Sequence, residues 1–241
     1  MGEGKRSTLI RPFGPPSPKG RRSPTVNTSG IICFAVSFYQ RILSHPFVFN
    51  RSRPLLAGGI DWKPLYEALD AGPDSVVLDV GCGMGIAHQY LRSFREYYGF
   101  DTDPVAIKLA QQLPFDDRVC DFITAVCVYH HVPAERRPIL TSEALRVLKP
   151  GGTLCIIEHN PWNPVTKRIV SRTPVDEDAR LLTANETKRL LSSAGCSSLQ
   201  TQFFLLFPER LHRFTRPVED ALRAIPLGGQ YAIFGNSGTV A

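Results

Sequence analysis

The chain has 241 residues, 43% of them hydrophobic and 21% charged, with a formal net charge of +6. This balance excludes a wholly disordered, collagen-like or low-complexity protein and fits one large domain with appendages. The excess charge is local: residues 1–30 hold six basic residues and one acid, and the rest of the chain holds 22 basic and 21 acidic residues. A nucleic-acid partner is therefore supported by the tail alone, because such binding needs a basic surface.

Residues 1–30 are rich in Pro, Gly, Ser and basic residues and carry few apolar anchors, so they are expected to be a disordered tail. They contain no apolar core of a secretory signal, and their prolines argue against an amphipathic transit helix. Ile31, Phe34, Ala35, Phe38, Tyr39 and Ile42 recur at helical spacing, and Pro46 stops the pattern. This predicts a helical cap over residues 31–72, with a second short helix at Pro64–Leu69. The first helix either packs on the main domain or serves as a substrate lid or membrane-facing element. The apolar run Ile31–Phe38 is too short to span a bilayer.

From Ser75 onward, short β-branched runs alternate with helical stretches, the signature of βαβ units and a parallel sheet. Strands are expected at 76–80, 97–100, 122–127, 153–158, 199–207 and 230–234. Helices are expected at 86–94, 134–148 and 186–194, the last opened by the capping box Thr183-x-x-Glu186. Asn163 followed by Pro164 marks a further helix start. Lys149-Pro150-Gly151-Gly152 reads as a structural turn feeding the strand at 153–158. The six cysteines show no paired spacing. They read as reduced core thiols of a cytoplasmic protein, and no metal site is predicted.

The decisive segment is VVLDVGCGMGIAHQYL, Val76 to Leu91. An apolar strand runs into a loop whose glycines let the backbone turn tightly and approach a ligand. The pattern is D-x-G-x-G-x-G on Asp79, Gly81, Gly83 and Gly85. The third glycine of a dinucleotide fingerprint would fall at Ile86, and an acid before the loop repels a pyrophosphate. An acid there suits a ligand with cationic centres.

At these residues the chain resembles the class I S-adenosylmethionine-dependent methyltransferases, in particular the small-molecule branch of ubiquinone and menaquinone biosynthesis. The matching segments are VLDVGCGMG, YYGFDTDP, LPFDD, CDFITAVCVYHHV and ALRVLKPGGTLCIIEH, in family order between Val77 and His159, about a third of the chain. The resemblance implies a doubly wound, Rossmann-like, mostly parallel α/β sheet with an antiparallel last strand, and S-adenosyl-L-methionine as cofactor. It places Gly81, Cys82 and Gly83 under the methionine portion of the cofactor, with Asp79 near the amino group and Gly85 a further cofactor-binding position. Asp101, with Thr102 beside it, falls at the ribose diol, which a carboxylate can hold through charge-assisted bonds. Val126 and Cys127 line the methyl-transfer side. Ligands of open α/β sheets bind at the carboxyl ends of strands, and all these positions satisfy that rule.

One departure concerns the third strand of the family. Only residues 102–120 separate Asp101 from Asp121. Asp103-Pro104 reads as a helix start, while Val105, Ile107 and Leu109 also alternate as a strand does; the helix is favoured. The third strand is then shortened or absent, and one sheet edge is truncated. Leu109 stands where the family carries an acid, so adenine would be held by apolar contact and by the backbone near Ala110.

Histidine titrates near working pH, so His159, His130 and Tyr129 are the candidate catalytic groups. His159 lies on a loop at the cofactor end of the sheet, with Asn160 and Trp162 nearby. Tyr129 and His130 face either the pocket or a helix surface, and His131 reads as a packing histidine. Residues 160–180 are expected to cover the site, with Asp176, Glu177 and Asp178 as a solvated helix start or a contact for a cationic or sugar substrate. Val165, Ile169 and Val170 around Lys167 and Arg168 permit a peripheral membrane contact.

The expected organisation is a basic tail (1–30), a helical cap (31–72) and a methyltransferase domain (73–241). The expected activity is methyl transfer to a small organic acceptor, mainly by proximity and alignment. The alternatives are an RNA methyltransferase, a protein of this fold with non-methylating chemistry, and a non-catalytic partner subunit.

Overall fold

The computed structural model describes residues 31–34, 63–82, 87–100, 113, 115–173, 176, 178–207 and 211–238. The basic tail and most of the expected cap lie outside these residues, as do Gly83, Gly85, Asp101, Thr102 and Ala110.

Among the described residues the strands are β1 (Ile31–Phe34), β2 (Val76–Val80), β3 (Glu96–Phe100), β4 (Cys120–Val126), β5 (Leu148–His159), β6 (Cys196–Phe204) and β7 (Gln230–Ser237). They form one sheet in the order β1-β3-β2-β4-β5-β7-β6. The pairs from β1 to β5 are parallel, and β7 runs antiparallel to both β5 and β6. The doubly wound, mostly parallel sheet with a reversed last strand is therefore present.

Side chains alternate between the faces. On one face Val76, Leu78, Val80, Ile123, Ile156 and Ile233 pack with helices α2 (Arg137–Val147) and α4 (Ala184–Ser193). On the other, Val77, Tyr97, Cys155, Ile157 and Ala232 pack with α1 (Lys63–Glu67) and Leu91. β2 is buried along its whole length, as befits a central parallel strand covered on both sides. α3 (Pro164–Val170) and α5 (His212–Leu222) are the remaining α-helices among the described residues. None of the described helices is long and apolar enough to cross a membrane.

Three expectations are corrected. Ile31–Phe34 is a strand, not the start of a helix, and pairs in register with Tyr97–Phe100. The run IICF is rich in residues suited to a pleated surface, and the outer edge of β3 supplies a backbone partner that a helix does not use. The outer edge of β3 is thus covered by Ile31–Phe34. No strand lies between β3 and β4 among the described residues.

The helix expected at 86–94 is a single 3₁₀ turn, Ala87–Tyr90, in its described part. The rings of His88, Phe94 and Tyr97 stand 5.7–6.4 Å apart, and the Arg95 amide already donates to Ser75 O at 2.8 Å. This aromatic packing returns the chain to the sheet before a second helical turn forms. Third, Lys149–Gly152 belongs to β5, but as a bulge. The register jumps from Cys120 opposite Leu148 to Phe122 opposite Thr153, and Gly151 takes φ +77°. The turning role of the glycines survives within the strand.

The helix starts were legible. Asn163 caps α3 by accepting from Thr166 N at 3.0 Å, with Pro164 in the first turn. Thr183 and Glu186 form the expected capping box of α4, with bonds of 3.2 and 2.7 Å. Thr183→Ala is expected to cost about 1 kcal/mol, read as a shift of the urea midpoint at unchanged slope.

Candidate active site

The carboxyl ends of β2, β4 and β5 meet the start of β7 at one end of the sheet. At the opposite end, Asp121 accepts from Val76 N at 2.8 Å and pairs with Lys149 Nζ at 2.7 Å. That end is a structural clasp and carries none of the predicted site residues.

Asp79 is fully buried. Its Oδ1 accepts from Thr124 Oγ1 at 2.7 Å, and its Oδ2 accepts from the Tyr97 hydroxyl. Burial, then the Asp79 charge, push the Tyr97 phenol well above its usual range, so it stays a donor. The carboxylate thereby sets the end of β2 against its neighbours on either side. Gly81 follows at φ +78°. A Cβ there would meet Val128 Cγ2 at 2.4 Å and Val126 O at 2.7 Å. The glycine loop therefore leaves β2 pressed against the end of β4, a position only glycine fits. Cys82 is buried beside it.

β4 ends on Val126, and Cys127 takes the left-handed conformation at φ +54°. Strain of this kind in a non-glycine residue collects at functional sites. The Cys127 amide donates to Ile157 O at 2.8 Å, and its Sγ lies 3.6 Å from Gln230 Nε2. The same Gln230 nitrogen is 3.3 Å from His159 Nδ1. Gln230 is only 2% exposed, and its Oε1 has no hydrogen-bond partner among the described residues. The end of β4, the end of β5 and the start of β7 thus converge on one buried amide. Sequence reasoning missed Gln230 because it comes from the reversed strand, far along the chain from the motifs.

His130 is almost wholly buried, with Nδ1 at 2.5 Å from Glu158 Oε2 and Nε2 at 3.5 Å from Asp176 Oδ1. Burial opposes its charge, but Glu158 and then Asp176 outweigh burial and push the imidazole up to about 9. Burial likewise opposes the charge on Glu158, and the His130 cation outweighs it, holding the carboxyl below its ordinary range. His159, with its ring 5.2 Å from that of His130, is driven the other way. Burial and then the His130 cation lower it below its usual value, so it is neutral near pH 7. Glu158 had a sequence signal: an acid ending an apolar strand needs a partner.

Tyr129 is corrected as a catalytic candidate. Its hydroxyl lies in the core, 3.1 Å from Thr141 Oγ1 on α2, and burial pushes the phenol up. It enters the site by its backbone, whose amide donates to Glu158 Oε1 at 2.7 Å. Asn160 is structural: fully buried, it donates to Pro226 O and Gly228 O at 3.0 and 2.8 Å. Trp162, by contrast, is 72% exposed, with Val165 and Ile169 also exposed on α3 beside Lys167 and Arg168. The segment after α3 folds back over the histidines. Arg180 N donates to His130 O at 2.8 Å, and Arg137 holds Arg180 O at 2.7 Å. Asp176 is turned inward here and is not a fully solvated residue.

The sheet order and the glycine loop at its carboxyl end define a domain of the class I methyltransferase fold. Residues 78–156 match the family described as Methyltransferase domain. A methyltransferase solved with the Haloferax volcanii Trm112 methyltransferase activator superposes with a TM-score of 0.57 at 17% identity, covering 85% of this chain and all of that one. At that identity the likeness speaks for the fold. The tRNA (carboxymethyluridine(34)-5-O)-methyltransferase of Macaca fascicularis is 31% identical over 134 residues, which are 49% of this chain and 18% of that protein. The phthiotriol/phenolphthiotriol dimycocerosates methyltransferase of Mycobacterium leprae is 32% identical over 108 residues, 37% of this chain and 39% of that protein. The chain therefore spans well under half the length of these two relatives.

Proposed function

We propose that the chain is an S-adenosylmethionine-dependent methyltransferase acting on a small organic acceptor. The observation that carries this reading is the meeting of a tightly turned Gly81, a strained Cys127, a partnerless Gln230 Oε1 and a neutral His159 at the carboxyl end of the sheet. A close-packed backbone cradle and a buried polar atom awaiting a partner suit a polar cofactor. Gly81, Cys82, Val126 and Cys127 would border its methionine half, with Asp79 fixing the strand ends that shape the cradle; Gly83, Gly85, Asp101, Thr102 and Ala110 are assigned to the cofactor as a whole by sequence resemblance. When bound, the cofactor supplies an activated methyl group.

The chain then has two tasks. It holds the acceptor in line, which can supply much of the barrier reduction. It also takes the acceptor proton where the nucleophile carries one. His159 suits the second task. Turned about its terminal bond, the Gln230 amide accepts from Nδ1–H of His159 and presents its NH2 where the bare oxygen stood, so in either orientation one buried polar end of the amide awaits a partner. His159 Nε2 is then left unprotonated and basic. The positive charge that Glu158 and Asp176 hold at His130 keeps His159 neutral.

His159→Ala is expected to lower kcat by about 100-fold while leaving cofactor affinity unchanged, as read by steady-state kinetics beside calorimetry. The reading itself is tested by incubating the full chain and S-adenosylmethionine with extract metabolites and searching by mass spectrometry. A product heavier by one methylene is expected. Cofactor consumed or bound with no such product would favour non-methylating chemistry, and no cofactor binding would favour a partner role.

A second reading takes RNA as the acceptor. It is favoured by the tRNA methyltransferase among the relatives and by the basic residues 1–30. The rest of the chain is near neutral, which favours the small acceptor. Salt-dependent RNA retention that disappears on deleting residues 1–30 would support the second reading.

A further inference from the structure

We propose that His130, His131 and Asp176 form a site for a divalent transition-metal ion of the zinc or cobalt kind, with Glu158 as its supporting residue. The donor atoms are His130 Nε2, His131 Nε2 and Asp176 Oδ1, all within 4.8 Å of one another. Asp176 Oδ1 lies 3.5 Å from the first nitrogen and 3.4 Å from the second. An ion bonded at about 2.1 Å to each ligand sets adjacent donors roughly 3.0 to 3.4 Å apart, the range between octahedral and tetrahedral edges. The carboxylate is therefore already near metal spacing from both imidazoles.

The surroundings match as well. The other nitrogen of His130, Nδ1, is held by Glu158 Oε2 at 2.5 Å. That arrangement directs Nε2 toward Asp176 and makes the ring a better ligand, as carboxylate–histidine–metal chains do. Glu158 is itself fixed by the Tyr129 amide at 2.7 Å, so the supporting shell is rigid. Two carboxylates converge on His130, an environment that favours a cation. Two imidazoles and one carboxylate select zinc, cobalt, iron or manganese over calcium or magnesium. The side chain of His131 is 24% exposed, which leaves a route of entry from solvent. Three protein ligands also leave at least one coordination position for water or for an oxygen of a bound molecule. The site would pin the segment carrying Asp176 to the end of β4. Sequence reasoning predicted no metal because Asp176 is distant along the chain from the two histidines.

The test is a titration of the tag-free full chain with cobalt(II) chloride, followed by visible absorption and by competition with zinc. Saturable visible bands at one equivalent, displaced by zinc, are expected. His131→Gln and Asp176→Asn are each expected to weaken binding at least roughly tenfold, with unchanged circular dichroism. His212→Ala, a histidine elsewhere in the chain, is expected to bind as wild type does. His131→Gln changes a partly exposed ring and keeps the test decisive should Asp176→Asn fail to fold. Absence of a saturable visible band, or wild-type affinity in both ligand variants, would overturn the proposal. The readout uses the metal alone, so it stands or falls apart from methyl transfer.

Discussion

Glu158→Ala is expected to destabilise the protein by about 3–5 kcal/mol, the cost of removing one partner from a buried ion pair. The substitution leaves the buried His130 without its nearest counter-charge and the Tyr129 amide without its acceptor. Both losses are buried, so water does not replace what is removed. Glu158→Gln keeps the shape and one acceptor oxygen and is expected to cost less. Urea denaturation of the three proteins reads the order directly. A loss below about 1 kcal/mol for Glu158→Ala would mean that the pair is screened and does not organise the site.

The second large effect is expected at Gly81. Gly81→Ala forces a side chain into a left-handed backbone, at roughly 1–2 kcal/mol. It also drives a methyl group into Val128 and the Val126 carbonyl, and overpacking adds about 1–3 kcal/mol. The ends of β2 and β4 must separate to relieve the contact. The variant is expected to lose 2–5 kcal/mol, roughly the sum of these terms, and to lose binding of S-adenosylhomocysteine while remaining folded at low temperature. Retained binding would show that the loop tolerates displacement and that the close approach serves packing alone.

The legible parts of the fold were those set by local chemistry. The apolar run into the glycine loop, the Asn163-Pro164 start and the Thr183–Glu186 box each carry their signal within a few residues. The first strand was not legible in that way. Ile31–Phe34 satisfies a helical spacing, and only the unpaired edge of β3, more than sixty residues on, makes a strand the better use of it. The site divides similarly. Cys127 and His159 could be singled out from the sequence because one follows β4 directly and the other ends β5. Gln230 was not assigned a role there, and Asp176 was weighed only as a solvated acid or a substrate contact, because a reversed strand and a returning loop bring them to the histidines. Tyr129 was misjudged because one residue of rotation decides whether a side chain after a strand meets the pocket or the core. Its neighbour His130 took the site and Tyr129 took the core.

The most direct test of the cofactor assignment is calorimetric titration of the full chain with S-adenosylhomocysteine. The account predicts saturable heat at one equivalent for the wild type. It predicts loss of that heat in Asp101→Ala, at the residue assigned to the ribose by sequence resemblance. No heat from a folded sample, or an Asp101→Ala protein indistinguishable from the wild type, would contradict it.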